Sequence, residues 1–421
     1  MRIIMIFPVL FFVLLLKPIF AEDNKPTENL SLLINTAITN NPELKASQAR
    51  WQMFNSRIEQ ARSLEDPMLM LKIQNGVVRS PFDFNRDSMT QKVIGVSQQL
   101  PFWGKRELRG EVAAKEADSY KWTLEQRKLE LVRMVKETFY QIYFLDKSLA
   151  IVDRNIRILD DFVTLAETKY SVGQGAQQDI FKAQVERSRM LDMRISLEQQ
   201  RKSRQAALNA LLYRPAETPV GRIADPQIHP LAATAEQLRS IADDNHPLLK
   251  SNRALVEKAG ADLKLAKKDY LPDFTVTLEY MQRDPAMGSS GLDMYGLGVT
   301  FNLPVQRARR QAVVAESNMQ ARMAAEELNS LKNSISAGVS DLLAQLERRR
   351  KLAELYKNGI IPQAQQSLES ATISYRVNKV DFLTLLDSRV TLFNYEREYY
   401  DSVADYQIKR AELEALVGKE L

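Results

Sequence analysis

The chain repeats itself. Pro42 and Pro247 lie 205 positions apart, as do Pro67 with Pro272 and Tyr170 with Tyr375, while Pro101 and Pro304 lie 203 apart. The strings around these anchors agree: NPELK with HPLLK, GVSQQLP with GVTFNLP, KYSVG with SYRVN. Ordered self-similarity at one period means that one structural unit is built twice. Residues 22–213 form the first repeat and 235–421 the second. Between them runs a Pro-rich linker, 214–234, with Pro215, Pro219, Pro226 and Pro230. Residues 1–21 precede both. Arg2, the apolar run from Ile3 to Leu16 and the small Ala21 have the layout of a signal peptide, and the run is short for a membrane-spanning helix.

Each repeat has the same internal order. A helix comes first, over 30–64 and 235–269. Two β patterns follow, then a very long helix, then a second helix after a break at Gly173 or Asn378. The β patterns alternate strictly. Tyr295, Leu297, Val299, Phe301 and Leu303 oppose Gly296, Gly298, Thr300 and Asn302. Phe274, Val276, Leu278 and Tyr280 oppose Thr275, Thr277 and Glu279, and Ile94, Val96 and Leu100 oppose Gly95, Ser97 and Gln99. Leu69, Leu71 and Ile73 oppose Lys72 and Gln74, with Met68 and Met70 blurring the start. Such lengths suit tilted strands crossing a bilayer, and the polar loops near 80–88 and 284–291 suit its outer side. Hairpins resting on a helical core would look similar. If the strands do span a bilayer, four of them cannot close, because the smallest membrane barrels need about eight. Several copies must then share one barrel: two would supply eight strands, three would supply twelve.

The long helix of the first repeat is predicted over 105–170, on the order of 100 Å at about 1.5 Å per residue. Ile142, Leu145, Leu149, Val152, Ile156, Leu159, Val163, Ala166 and Tyr170 fall at spacings of three and four, a coiled-coil seam. In the second repeat Leu328, Leu331, Ile335, Val339, Leu342 and Leu346 do the same within a helix over 307–375, which Pro362 is expected to bend. A helix that long needs an elongated bundle or tube rather than a compact domain.

Composition excludes most chemistry. There is no Cys, and there are only two His, so thiol catalysis, thiolate metal sites and His-based catalysis have no material. No Walker loop, Gly-rich dinucleotide turn or GxSxG motif occurs. The expectation is no enzyme, no cofactor and no bound metal. Met68, Met70, Met281, Met287 and Met294 are better read as gap-filling side chains than as soft-metal ligands. A net charge of +5 without a dense basic tract gives no case for nucleic acid. Phe102 and Trp103, just past a strand end, suit an interfacial aromatic girdle. A periplasmic coiled-coil adaptor is the alternative, but it would need a lipoyl-like β domain, and it leaves two membrane-length strand pairs unexplained.

Three strings carry a resemblance. QQLPFWGKRELRGEVAAKEAD at the strand-to-helix junction, KYSVGQGAQQDIFKAQ, and SYRVNKVDFLTLLDSRVTLFNYE resemble the junction and the two helical-hairpin tips of the TolC-like outer-membrane efflux proteins. GKRELRGEVA is most similar to the heavy-metal branch, of the CzcC and CusC type. The resemblance implies a mainly α chain with a small β part. Its duplicated coiled-coil helices would form a periplasmic helical tunnel, and its four strands would join a shared trimeric transmembrane β-barrel. It further implies a homotrimer in contact with outer-membrane lipid. That trimer would serve as the passive exit duct of a tripartite efflux system, with a periplasmic adaptor (membrane fusion) protein and an inner-membrane pump of the resistance-nodulation-division type.

The matching tip residues follow from it. Asp381, Tyr375, Arg376, Asp179 and Tyr170 become gate or selectivity residues. Val172, Gly173, Val377, Asn378 and Phe382 become adaptor-docking tips. Gly173 allows the left-handed backbone of a sharp turn, and Asn378 tolerates it next best. Three copies of Asp381 would make a carboxylate ring favouring cations. Tyr375 and Arg376 are candidates for hydrogen bonds that hold a gate. Thr384 and Leu385 stand where a second ring would be sought, and Asp387 lies one turn on. Helix capping competes with gating for Asp179 and Asp381, and a place in the coiled-coil core competes for Tyr170.

Overall fold

A computed structural model describes residues 27–421, so the signal-peptide expectation at 1–21 lies outside the described residues. The described order is α1 (Leu30–Asn40), α2 (Pro42–Arg62), β1 (Met68–Gln74), β2 (Gln91–Leu100), α3 (Lys105–Ser171) and α4 (Gln177–Leu211). The second repeat follows as α5 (Ala235–Asn245), α6 (Pro247–Lys268), β3 (Phe274–Gln282), β4 (Met294–Phe301), α7 (Arg307–Leu355), α8 (Ile361–Arg376) and α9 (Phe382–Val417).

The helix expected over 30–64 is two helices, and so is the one expected over 235–269. Pro42 and Pro247 lack the N–H that a helix interior needs and push the preceding residue into extended backbone. Asn41 and His246 accordingly sit at ψ 122° and 118°. Each caps the helix that Pro begins. Asn41 Oδ1 accepts from Glu43 N (2.9 Å) and Leu44 N (3.2 Å), and His246 Nδ1 accepts from Leu248 N at 3.2 Å. The repeat thus preserves the cap and changes its chemistry.

His246 is buried, which holds its pKa below the ordinary 6.5. An unfolded chain takes up the proton near that ordinary value, and the folded chain only at lower pH. The stability contributed by the neutral ring is therefore whole above about pH 6.5 and is lost as pH falls through the folded value. His246→Asn keeps the cap without the titration. Thermal melts of the variant should lose part of the acid-side fall in Tm below pH 6.5. An unchanged fall would remove His246 as its cause.

Helical backbone runs on from α7 into α8 across Pro362. A single π-turn, Tyr356–Ile360, precedes it, and Ile361 N–H bonds Tyr356 O. Widening the turn routes the hydrogen bonds past the missing N–H while φ and ψ stay helical.

α3, 67 residues long, is the spine, with α2, α4, α6 and α9 packed along it. The predicted seam is its buried edge: Ile142, Leu145, Val152, Leu159 and Ala166 are buried, with Leu149, Ile156 and Val163 packed beside them. Linker residues Val220 and Ile223 are buried over Tyr143 and Leu208, and Gln407 Nε2 bonds Gln227 O at 2.8 Å. The linker is therefore a strap across the bundle.

The four strands form one antiparallel sheet in the order β1-β2-β3-β4, so the two repeats join through β2 and β3. Directly paired residues share a face. One face carries the rows Leu71–Ile94–Tyr280–Tyr295, Leu69–Val96–Leu278–Leu297 and Leu100–Phe274–Phe301. Nearly all of these side chains are exposed in the single chain. The other face is mixed: Ser97, Thr277, Gly298, Gly95, Gly296 and the pair Lys72–Glu279 (3.4 Å) share it with Met68, Met70, Val93, Met281 and Met294. A continuous apolar face open to the surroundings, backed by a face that carries the sheet's Gly, Thr and charged residues, is the build of a lipid-facing barrel wall. At its helical end Trp103 is exposed, against Phe102 and Phe274 with ring centroids 5.2 Å away in each case.

Candidate functional site: the paired helical tips

The end of the bundle farthest along α3 from the sheet consists of two matching turns, α3 to α4 and α8 to α9. Gly173 has φ +75° and Asn378 φ +61°, so both turns use the left-handed backbone expected of them. No atom lies within 4 Å of a Cβ built on Gly173, so glycine serves the backbone angle there rather than a tight fit. The closing bonds match too. Gly173 N bonds Tyr170 O (3.0 Å) and Gln174 N bonds Lys169 O (2.8 Å); Asn378 N bonds Tyr375 O (3.1 Å) and Lys379 N bonds Ser374 O (2.8 Å).

The two turns are tied by a residue that pattern reasoning passed over. Lys169 is buried. Its Nζ donates to Tyr375 O at 2.6 Å and to Asn378 Oδ1, and lies 4.7 Å from the centroid of the Tyr375 ring. Asn378 Nδ2 in turn reaches Gln174 Oε1 at 3.4 Å. A buried ammonium needs such partners. The corresponding residue of the second repeat is Ser374, so the clasp exists once per chain. Seam spacing allows a step of three or four from Ala166, and a lysine at the three-step was the available signal.

The predicted residues divide. Tyr170 is not in the core, because Lys169 takes the inward position and leaves Tyr170 exposed. Phe382 is corrected as a docking residue. It is 1% exposed and packs edge-on to Tyr375 (5.5 Å) and Phe162 (6.3 Å), so the single chain offers it to no partner. Val172, Val377, Asn378 and Gly173 are on the surface, as is Arg376. The Tyr375 ring is buried, and its hydroxyl oxygen is buried without a partner. Burial first, and then the Asp179 charge, raise that phenol's pKa. Tyr375 thus binds Lys169 through its backbone carbonyl, not its hydroxyl.

Asp381 caps α9. Its Oδ1 accepts from Thr384 N (2.8 Å) and Thr384 Oγ1 (2.6 Å), and those bonds, hydroxyl first, hold its carboxyl below the usual carboxylate range. Asp179 is a half-buried acid in the first turn of α4, which has no side-chain cap.

Farther up the bundle, buried Arg389 donates from Nε to Asn155 Oδ1 at 2.7 Å, and burial lowers its pKa. Among the described residues no group of three or more His, Cys, Asp or Glu could hold a metal, and no helix is long and apolar enough to cross a membrane.

The family model described as "Outer membrane efflux protein" matches residues 33–212 and 238–419, one stretch in each repeat. The chain belongs to the outer-membrane efflux protein family. The cobalt-zinc-cadmium resistance protein CzcC of Cupriavidus metallidurans is 23% identical over 412 residues, covering 96% of this chain and 93% of that protein. The outer membrane efflux protein BepC of Brucella suis is 22% identical over 380 residues, 86% of this chain and 79% of its own. Among solved structures, CusC superposes with a TM-score of 0.79 at 15% identity, covering 94% of this chain and 93% of that one. VceC of Vibrio cholerae gives 0.78 at 17%, covering 93% and 96%. The fold is that of these outer-membrane channels. This efflux protein accordingly resides in the outer membrane, with its helices as the periplasmic extension, and it works in transport.

Proposed function

We propose that three copies of this chain close one barrel and one helical tunnel. The assembly acts without catalysis, as the exit duct for cargo handed over by a periplasmic adaptor and an inner-membrane pump of the resistance-nodulation-division type. The observation that carries this reading is the sheet, with its continuous apolar face, its mixed second face and two open edges. A bilayer tolerates no open edge. Two copies would give eight strands, whose interior side chains fill. Twelve is the next multiple of four, and the Gly and Thr residues on the inner face favour an open bore.

Heavy-metal cations are the proposed cargo. CzcC is named for cobalt, zinc and cadmium resistance, and a ring of Asp381 carboxylates would favour cations. Within one chain the Thr384 bonds favour the charged form of Asp381, while neighbouring carboxylates in a ring would oppose that shift. Arg376, on the surface, is the proposed gate contact between copies, with Tyr170 and Asp179 flanking it; Tyr375, buried in the single chain, serves the tips through the carbonyl that holds Lys169. Val172, Gly173, Val377 and Asn378 form the proposed adaptor-facing rim.

Planar-bilayer recordings of purified protein test the duct. Discrete conductance steps are expected, and their absence from correctly assembled protein refutes it. Asp381→Asn separates charge from capping, since Asn caps a helix about as well as Asp. The variant should fold with unchanged Tm, and its reversal potential in a salt gradient should show reduced cation preference. Unchanged preference would leave Asp381 as a cap alone.

A further inference from the structure

The methionines of the strands are segregated. Met68, Met70, Met281 and Met294 all lie on the mixed second face of the sheet, and the apolar face, built mainly from Leu, Ile, Val, Phe and Tyr, has none. Gap-filling alone gives no reason for that division. A buried gap can be filled by the Leu, Ile and Val used on the other side, and Met68 and Met294, 61% and 44% exposed, fill none. What methionine brings to a face turned toward the bore is a neutral, polarizable sulfur on a flexible chain.

The backbone makes room for two of these side chains. A Cβ built on Gly95 would meet the Met70 methyl carbon Cε at 3.0 Å and Glu279 Cγ at 3.1 Å. One built on Gly296 would meet Met281 Cε at 3.0 Å, with Glu279 Oε2 at 4.0 Å. Met70 and Met281 therefore lie over the two glycines that flank Glu279 in the row Met70–Gly95–Glu279–Gly296. Met294 pairs directly with Met281 in the next row. Glu279 is the only acid in the four strands, and it forms an ion pair with Lys72 at 3.4 Å.

Thioethers are soft ligands and select soft monovalent cations over harder dications. They have no proton to lose, so the ligands persist at any pH. Being uncharged, they hold an ion more loosely than thiolates do, which suits a wall that ions must leave as readily as they reach it. One carboxylate within reach offsets the charge of the ion.

We propose that Met70, Met281 and Met294, with Glu279, form a transit site for soft monovalent cations, Cu(I) or Ag(I), on the wall of the bore. The proposal rests on the duct proposed above and names the kind of metal ion that its wall favours.

Silver ion is the probe. The chain has no Cys, so no thiolate competes for it. Full-length protein is recorded in planar bilayers in nitrate salts, because chloride precipitates silver, and the potassium current before silver is added shows that each variant has assembled. Silver should reduce that current at concentrations where zinc and cobalt ions do not. Even an outer partner of a bound metal is worth about 10–100-fold in affinity, so losing two ligands, in Met70→Leu combined with Met281→Leu, should raise the half-blocking silver concentration by about tenfold or more. Each single variant should show part of that rise, and carries the comparison if the combined one does not conduct. Lys72→Gln frees Glu279 from its ammonium partner and should lower the half-blocking concentration, a gain that a misassembled channel cannot imitate. Met319→Leu with Met323→Leu, exposed on α7, should leave the block as it is. A wild-type current that silver does not reduce, equal block by zinc, or a block that depends on Met319 and Met323 instead of Met70 and Met281 overturns the methionine site and leaves the duct standing. A block unmoved by Lys72→Gln removes Glu279 from the site. Wild-type protein without conductance steps overturns the duct itself.

Discussion

Val96→Lys is expected to empty the outer-membrane fraction of this protein, while Ser97→Lys, one residue along the same strand, leaves it filled. Val96 sits between Leu69 and Leu278 on the apolar face, and Ser97 between Met68 and Thr277 on the opposite one. A lysine turned toward lipid near the bilayer middle costs roughly 2–4 kcal/mol, less near the interfaces. Every copy in the assembly carries that cost. A factor of ten accompanies each ~1.4 kcal/mol, so three copies together suffice to abolish assembly. A lysine turned toward the bore keeps its hydration and should shift ion preference toward anions. Immunoblots of washed outer membranes and reversal potentials in bilayers read the two effects. Equal behaviour of the two variants would mean that the sheet has no lipid side, and the barrel would go with it.

Lys169→Met should loosen the helical tips. Methionine has a similar reach but cannot donate to Tyr375 O or Asn378, and it gives up the cation's place over the Tyr375 ring. Bonds from a charged donor contribute roughly 1.5–3 kcal/mol each. Loss of about 3 kcal/mol from one arrangement of the tips changes its population on the order of a hundredfold. Amide exchange should accelerate by a similar factor around Gly173 and Asn378 and remain unchanged in the middle of α3. In bilayers the mean conductance should rise. Lys169→Arg, which keeps the charge and the donors, should recover part of the protection. Wild-type exchange at both turns in the Met variant would mean that Lys169 fills space and clasps nothing.

Long-period features could be read from the residues, and single side-chain choices could not. The strands announced themselves because a two-sided sheet demands alternation at every step, and many residues then report one fact. The end of α3 was marked by Gly173 and that of α8 by Asn378, because few residues tolerate a positive φ. The breaks at Asn41 and His246 were missed although Pro42 and Pro247 served as repeat anchors. A proline at the first turn of a helix and one that interrupts a helix look alike until the preceding residue's ψ is known. Tyr170 was placed on the seam because steps of three and four both fit there. The choice fell to a lysine whose partners lie 206 and 209 residues away, beyond any local pattern. Phe382 sits between Asp381 and Leu383 in a string that suits a surface turn equally well, and only the neighbouring Phe162 and Tyr375 rings draw it inside. Asp381 was legible as an acid after a turn. Its tie to Thr384 is a helix-start bond that leaves the question of a ring to the assembled protein.

The unpaired borders of the sheet also bear on how the protein reaches its destination. A solitary copy travelling through water toward the outer membrane carries two rows of unused amides and carbonyls beside a bare greasy surface, the conditions under which polypeptides stick to whatever they meet. Encounters between like chains then compete with encounters with unlike ones. The yield of finished pores should climb faster than linearly with the rate of synthesis at low expression, and it should fall off once unproductive collisions dominate.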